Sequence, residues 1–139
     1  MNEPGTGIEF RVRYGETDQM GVVYHAEYFV WFDMGRTELI RSLGVPYVDI
    51  ERAGVALAVA EASVRYHAPA RYDDLIHVET RVTRVASRVI DFEYVVTRAD
   101  TGTRLATART TMVAMDRAGR ATTIPAELRS RLATHAPTR

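Results

Sequence analysis

One carboxylate near the N-terminus stands where chemistry is easiest to perform. Asp18 lies in Gly15-Glu16-Thr17-Asp18-Gln19-Met20-Gly21, a segment whose two glycines and lack of apolar period predict a loop. The loop leads through Val22 and Val23 to a helix whose apparent start, Tyr24-His25-Ala26, offers none of the usual Ser, Thr, Asp or Asn caps. The first amide N–H groups of that helix therefore need another partner, and the helix end adds a partial positive charge. Such donors suit an oxyanion forming on a carbonyl, and a nearby carboxylate supplies a nucleophile or a general base. A reactive carbonyl could sit between the two.

Composition narrows the remaining chemistry. With no Cys, thiol nucleophiles, thiolate metal sites and disulfides are excluded together. The four His residues, at 25, 67, 77 and 135, show no close spacing with carboxylates that resembles a metal site, so neither a metal nor another cofactor is expected. Eighteen basic residues, all Arg, balance eighteen acidic ones, leaving no overall field to attract nucleic acid or an anionic membrane. Any anionic ligand must be held locally. Met1 to Gly7 lacks the basic start and apolar segment of a secretory signal, and the longest aliphatic run, Val55 to Ala60, is too short to span a bilayer. A cytoplasmic location without membrane insertion is the expectation.

The elements that must hold Asp18 and His25 follow from hydrophobic period. Ile8, Phe10, Val12 and Tyr14 alternate with charged residues and predict a first strand. From about His25 to Leu43, Tyr28, Phe32, Gly35, Leu39 and Leu43 recur at spacings of three and four, marking a long helix closed by Gly44 and Pro46. Phe29, Val30, Trp31, Met34 and Ile40 widen that stripe, so this helix should be covered on several sides. Asp33 with Arg36, and Glu38 with Arg41, have favourable spacing for ion pairs.

A short helical piece is expected at Tyr47 to Arg52. Strands follow at about Val55 to His67, Leu75 to Val85, Arg88 to Arg98 and Arg104 to Asp116, with Ile76, Val78, Thr80 and Val82, then Ile90, Phe92, Tyr94 and Val96, on buried faces. The connections are short, which makes successive strands antiparallel neighbours. Pro125 opens a final short helix to about Leu132, and the tail at Pro137 should fray. The expectation is one α+β domain over residues 1–139, with its core at about 8–116. Its open sheet edges favour a homo-oligomer.

The stretch Tyr14-Gly15-Glu16-Thr17-Asp18-Gln19-Met20-Gly21-Val22-Val23-Tyr24-His25, continued by Tyr28 and Gly35-Arg36, resembles the signature of the 4-hydroxybenzoyl-CoA thioesterase family, which includes the Tol-Pal-associated acyl-CoA thioesterases. The similarity continues through Tyr66, Pro69 and Ala70-Arg71-Tyr72-Asp73-Asp74, covering about Ile8 to Met115. It implies a hotdog fold, in which a five-stranded antiparallel sheet wraps one long central helix. It also implies hydrolysis of an acyl-CoA, with active sites at the interface of a dimer that often assembles into tetramers. By position, Asp18 matches the catalytic aspartate, acting as nucleophile or general base. His25 takes the position whose backbone N–H polarises the thioester carbonyl.

Other residues carry weaker readings. Tyr14, Tyr24 and Tyr28 are candidate substrate contacts around the loop. The resemblance places Arg84 and Arg88 where basic side chains meet the CoA nucleotide, commonly from the neighbouring subunit; Arg71 is a lesser candidate. Glu16 is expected to be solvated, Glu61 to sit in a structural ion pair, and Trp31 and Phe32 to be core. A non-catalytic acyl-CoA-binding domain and a hotdog hydratase or dehydratase are the alternatives, the latter needing a His or Asp/His motif that is not seen.

Overall fold

The computed structural model describes residues 6–45 and 47–135. Pro46 and the tail at Pro137 lie outside them. The elements are β1 (Thr6–Arg11), a 3-10 turn (Tyr14–Glu16), α1 (Glu27–Ser42), α2 (Tyr47–Arg52), β2 (Ala56–Tyr66), β3 (Leu75–Val85), β4 (Val89–Arg98), β5 (Thr103–Met115) and α3 (Ala126–Ala133). The five strands form one antiparallel sheet in the order β1-β3-β4-β5-β2. The α+β class and the β3-β4-β5 meander agree with the sequence pattern.

One neighbour relation departs from expectation. β2 pairs with β5, from Ala56 opposite Met115 to Tyr66 opposite Ala106, and not with β3. The connecting residues 67–74 are no tight turn, because their polar groups are engaged elsewhere. The His67 amide donates to the Leu105 carbonyl (2.8 Å), the Asp73 amide to Val12 (3.0 Å), and the Ala70 carbonyl accepts from Val23 (2.8 Å). The chain thus crosses the end of the sheet and, on the way, ties itself to the loop that carries Asp18.

Alternation puts Ile76, Val78, Thr80 and Val82 of β3, and Ile90, Phe92, Tyr94 and Val96 of β4, into the core. They meet the buried stripe Tyr28, Trp31, Phe32, Gly35, Leu39 and Ile40 of α1, where each large apolar side chain contributes roughly 1.5–3 kcal/mol over exposure. α1 rests on β1 and β3. Its approach is close because residue 35 has no side chain: a Cβ there would lie 2.3 Å from Thr80 Oγ1 and 3.5 Å from Val78 Cγ1. The Asp33–Arg36 (3.0 Å) and Glu38–Arg41 (2.6 Å) pairs form as their spacing predicts. At the far end, Arg131 of α3 donates to the Leu43 carbonyl and pairs with Glu127 (2.7 Å), fastening α3 to the end of α1.

Two further expectations are corrected. Covering on several sides is not met within the chain: Phe29, Val30 and Met34 are exposed, because the sheet reaches only the opposite side of α1. Nearly all of β2 is exposed as well, Val59 among it. Glu61 lies on this edge strand just past a register shift, and among the described residues it makes no ion pair. Its side chain is exposed in the single chain. No helix among the described residues is long and apolar enough to cross a membrane.

Candidate active site

β1 stops at Arg11, and the chain turns because the Arg13 amide donates to Glu16 Oε1 (2.8 Å). Tyr14 is therefore lifted out of the strand and is 77% exposed, its ring edge-on to Tyr72. Beyond the 3-10 turn, Thr17 bridges Val23, the Asp18 amide donates to the Val22 carbonyl (2.8 Å), and the Gly21 amide donates to the Asp18 carbonyl (3.0 Å). Gly21 closes this small hairpin at φ +79°, a conformation that favours glycine. Asp18 stands on the hairpin, half-buried, with Oδ1 accepting the Met20 amide (2.8 Å). Among the described residues no protein donor reaches Oδ2.

Glu16 corrects the expectation of a solvated carboxylate. It is 5% exposed and also accepts the indole N–H of Trp31 at Oε2 (3.1 Å). A fully buried tryptophan needs an acceptor for its indole N–H, and this loop carboxylate supplies it.

The start of α1 is held by backbone contacts. The Tyr24 amide donates to the Glu16 carbonyl (2.9 Å), and the Glu27 amide to the Tyr24 carbonyl (2.9 Å). Ala26 stands at the cap position and provides no side-chain bond. Among the described residues the amides of His25 and Ala26 meet no protein acceptor. The Tyr66 hydroxyl donates to the His25 carbonyl (2.8 Å) and so orients the peptide between residues 25 and 26. Next to it opens a cavity of about 300 Å³, lined by Val22, Val23, His25, Tyr28, Tyr66, His67, Ala68 and Pro69.

The cavity walls are mostly apolar or aromatic. Tyr28 and Tyr66 meet edge-on, with centroids 5.1 Å apart. Burial, reinforced by Tyr66, pushes the Tyr28 hydroxyl up to about 12, and burial also raises Tyr66. Both phenols are therefore neutral donors near neutral pH. His67 Nε2 lies 3.1 Å from Thr107 Oγ1. Among the described residues no three His, Asp or Glu side chains group as metal ligands. The arrangement offers apolar walls for an acyl chain and free amides at a helix end for a carbonyl oxygen.

The candidates named from the sequence are distributed unevenly. His25 and Tyr28 line the cavity; Asp18 does not, although Val22 and Val23 of its own hairpin do. Tyr24 is 47% exposed, with its ring against that of His25. Arg84 and Arg88 lie at the other end of the sheet, since the β1–β3 register sets Leu75 beside Arg11 and sends Val85 away from the loop. One chain therefore does not bring them to the cavity. Arg84 pairs with Asp91 (2.8 Å); burial would raise the Asp91 carboxyl, but its bonds to Arg84 and Thr111 hold it below the usual carboxylate range. The Arg71 amide is committed to Asp74 (2.9 Å).

Two residues of the cavity, Tyr66 and His67, were not singled out by their spacing. The available signal was their place at the end of β2, where an exposed strand runs back toward the loop. Larger grooves of about 430 and 540 Å³ lie over the charged residues of β2, β4 and β5, such as Arg65, Glu93 and Arg109, away from this loop.

A five-stranded antiparallel sheet, a helix packed across it and an acid-bearing loop beside an aromatic cavity make a small α+β protein, and comparison with known proteins places it in the thioesterase class. The chain belongs to the Thioesterase-like superfamily, whose family model matches residues 12–132. It is 34% identical over 106 residues to the acyl-CoA thioester hydrolase YbgC of Escherichia coli O6:H1, covering 76% of this chain and 78% of that protein. It is 49% identical over 72 residues to the putative acyl-CoA thioesterase YneP of Bacillus subtilis, a match spanning 52% of each protein. Among solved structures, the hypothetical protein TT1821 of Thermus thermophilus superposes with a TM-score of 0.87 at 35% identity, covering 93% of this chain and 98% of that one.

Proposed function

We propose that this chain hydrolyses an acyl-CoA thioester to the free acid and CoA, with Asp18 as the reacting carboxylate and the amides at the start of α1, His25 first among them, as the oxyanion site. One observation carries the reading: the His25 and Ala26 amides meet no protein acceptor among the described residues, and His25 lines an apolar, aromatic-walled cavity shared with Val22 and Val23 of the Asp18 hairpin. The names of YbgC and YneP support the substrate class. Within the hotdog description, α1 takes the part of the central helix, packed on β1 and β3 by one side.

Two routes fit. In the first, an Asp18 oxygen bonds to the thioester carbonyl carbon, the C–S bond breaks, and the CoA thiolate leaves and takes up a proton; water then opens the mixed anhydride. In the second, water attacks the carbonyl carbon while its proton passes to Asp18, the C–S bond breaks, and the CoA thiolate leaves and takes up that proton. Both place negative charge on the carbonyl oxygen, where each preorganised donor is worth about 10² to 10³ in rate. Single turnover in ¹⁸O-water separates the second route from an anhydride opened at the Asp18 carboxyl carbon, since only the latter puts label into Asp18 and releases an unlabelled acid.

The working unit of this proposal is a homodimer. β2 is an edge strand exposed along nearly its whole length, and the apolar residues Phe29, Val30 and Met34 of α1 lie uncovered. Antiparallel pairing of two β2 edges would carry the far end of one sheet toward the loop end of the other. That is the geometry by which a partner's Arg84 and Arg88 could approach the CoA phosphates, with Arg suited to bind them bidentately. A tetramer would be a dimer of such dimers. The test is a thiol-release assay over short, medium and long aliphatic acyl-CoAs and benzoyl-type CoAs. Release above background from at least one group is expected; release from none would overturn the proposal in favour of a binding module.

A further inference from the structure

Resting on the hydrolase reading above, we infer that Glu16 is a positioning residue, which sets the Asp18 hairpin against the start of α1 through the indole of Trp31. Its side chain is almost entirely removed from solvent, a costly place for a carboxylate unless donors converge on it. Three do. The Arg13 amide donates to Oε1 (2.8 Å), while Trp31 Nε1 (3.1 Å) and Arg13 Nη2 (3.4 Å) reach Oε2.

The contacts span the two elements that must cooperate. Arg13 and Glu16 form the base of the loop, whereas Trp31 sits one turn into α1 on its buried stripe, wedged between Phe10 and Tyr28 at ring separations of 5.2 and 4.6 Å. The main chain of Glu16 adds a second tie, since its carbonyl accepts the Tyr24 amide (2.9 Å) next to His25. Residue 16 thus holds the entry of the hairpin, its exit and the helix together. Asp18 is two residues from one tie, and the His25 amide is one residue from the other. If the side-chain tie is cut, loop and helix remain but their relative placement is no longer fixed. A displacement of about 1 Å at reacting groups costs on the order of 10²-fold in rate.

The test compares Glu16→Gln, Glu16→Asp and Trp31→Phe with wild type and with Asp18→Asn, by steady-state hydrolysis of the best acyl-CoA, by Tm and, in the proteins that keep Trp31, by tryptophan emission. Trp31 is the single tryptophan, so emission reports directly on its indole partner. Glu16→Gln keeps the shape but turns one acceptor into a donor facing donors. The expected result is a fall in kcat of about tenfold or more for folded Glu16→Gln, with KM changed less than about threefold and a shifted emission maximum. Glu16→Asp, which keeps the charge, should retain more kcat than Glu16→Gln. Trp31→Phe should lower kcat as well, and it decides the matter if Glu16→Gln does not fold. Unchanged kcat per folded molecule in both variants, with only a lower Tm, would make Glu16 merely structural and overturn the inference. Loss of turnover in Asp18→Asn but not in Glu16→Gln or Trp31→Phe would defeat this inference alone. Loss in Glu16→Gln but not in Asp18→Asn would defeat the role of Asp18 and, with it, the reading of Glu16 as the residue that positions its hairpin.

Discussion

Replacing Gly35 with Ala tests how closely α1 must approach the sheet for the site to form. The new Cβ would lie 2.3 Å from Thr80 Oγ1, against the 3.4 Å at which ordinary contact begins, so helix or sheet must give by about 1 Å. Thr80 is fully buried and its hydroxyl meets no partner among the described residues, so it cannot swing away to water. Overpacking costs about 1–3 kcal/mol, and a contact this short against a buried side chain takes the upper half of that range, about 2–3 kcal/mol, of which the helix propensity of Ala over Gly returns about 1 kcal/mol. The net loss is about 1–2 kcal/mol. With an unfolding entropy near 2.1 cal/mol/K per residue, that corresponds to a Tm lower by roughly 3–7 °C.

The companion variant is Thr80→Ala, which removes both the obstacle and an unsatisfied hydroxyl. In that background Gly35→Ala should be neutral or stabilising, giving a coupling of at least about 1 kcal/mol in a double-mutant cycle. Calorimetry at matched protomer concentration measures the stability terms, because an oligomer's Tm depends on concentration. Thiol release measures whether displacing α1 lowers turnover. Equal effects of Gly35→Ala in both backgrounds, or a Gly35→Ala protein as stable as wild type, would refute the close-contact reasoning.

Other expectations are more local. Tyr66→Phe keeps the ring against Tyr28 but removes the hydroxyl that holds the His25 carbonyl; with that bond worth about 1 kcal/mol, kcat should fall roughly fivefold with little change in Tm, and an unchanged kcat would show that the peptide needs no such tether. Asp91 has a depressed carboxyl, so its contribution to stability is present above the usual carboxylate pKa and is lost as pH falls through its lower folded value. Asp91→Asn should therefore lower Tm at pH 7, and the gap to wild type should close below about pH 4; a gap independent of pH would count against the Arg84 and Thr111 bonds as its cause.

Much of the scaffold was legible because its signals are local. The three-and-four spacing from Tyr28 to Leu39 marks the buried stripe of α1, and the alternation in β3 and β4 reads out their core faces. The missing cap at the helix start was equally visible, since Ala26 provides no side-chain bond. What escaped depends on contacts between distant residues. β2 was assigned to β3 because hairpin reasoning applies only to tight turns, whereas residues 67–74 spend their hydrogen bonds on the Asp18 loop and on Leu105. Glu16 read as solvated because its partner, Trp31, lies fifteen residues away. A single buried tryptophan in need of an acceptor was the clue available. Tyr66 could not be placed at the His25 carbonyl without the crossing of that same connection. The exposed β2 and the bare side of α1 were illegible for a different reason, since a stripe of apolar residues says that something covers it, not which chain does so.

The most direct measurement is turnover by Asp18→Asn, verified as folded by its Tm and by an unshifted Trp31 emission, against wild type on the same acyl-CoA. A carboxylate that attacks the carbonyl or activates water should leave Asn at least about 10³-fold slower in kcat with substrate binding largely kept. Turnover within a few-fold of wild type would contradict it, and would move the chemistry to water held by the α1 amides alone or to a group from a second chain.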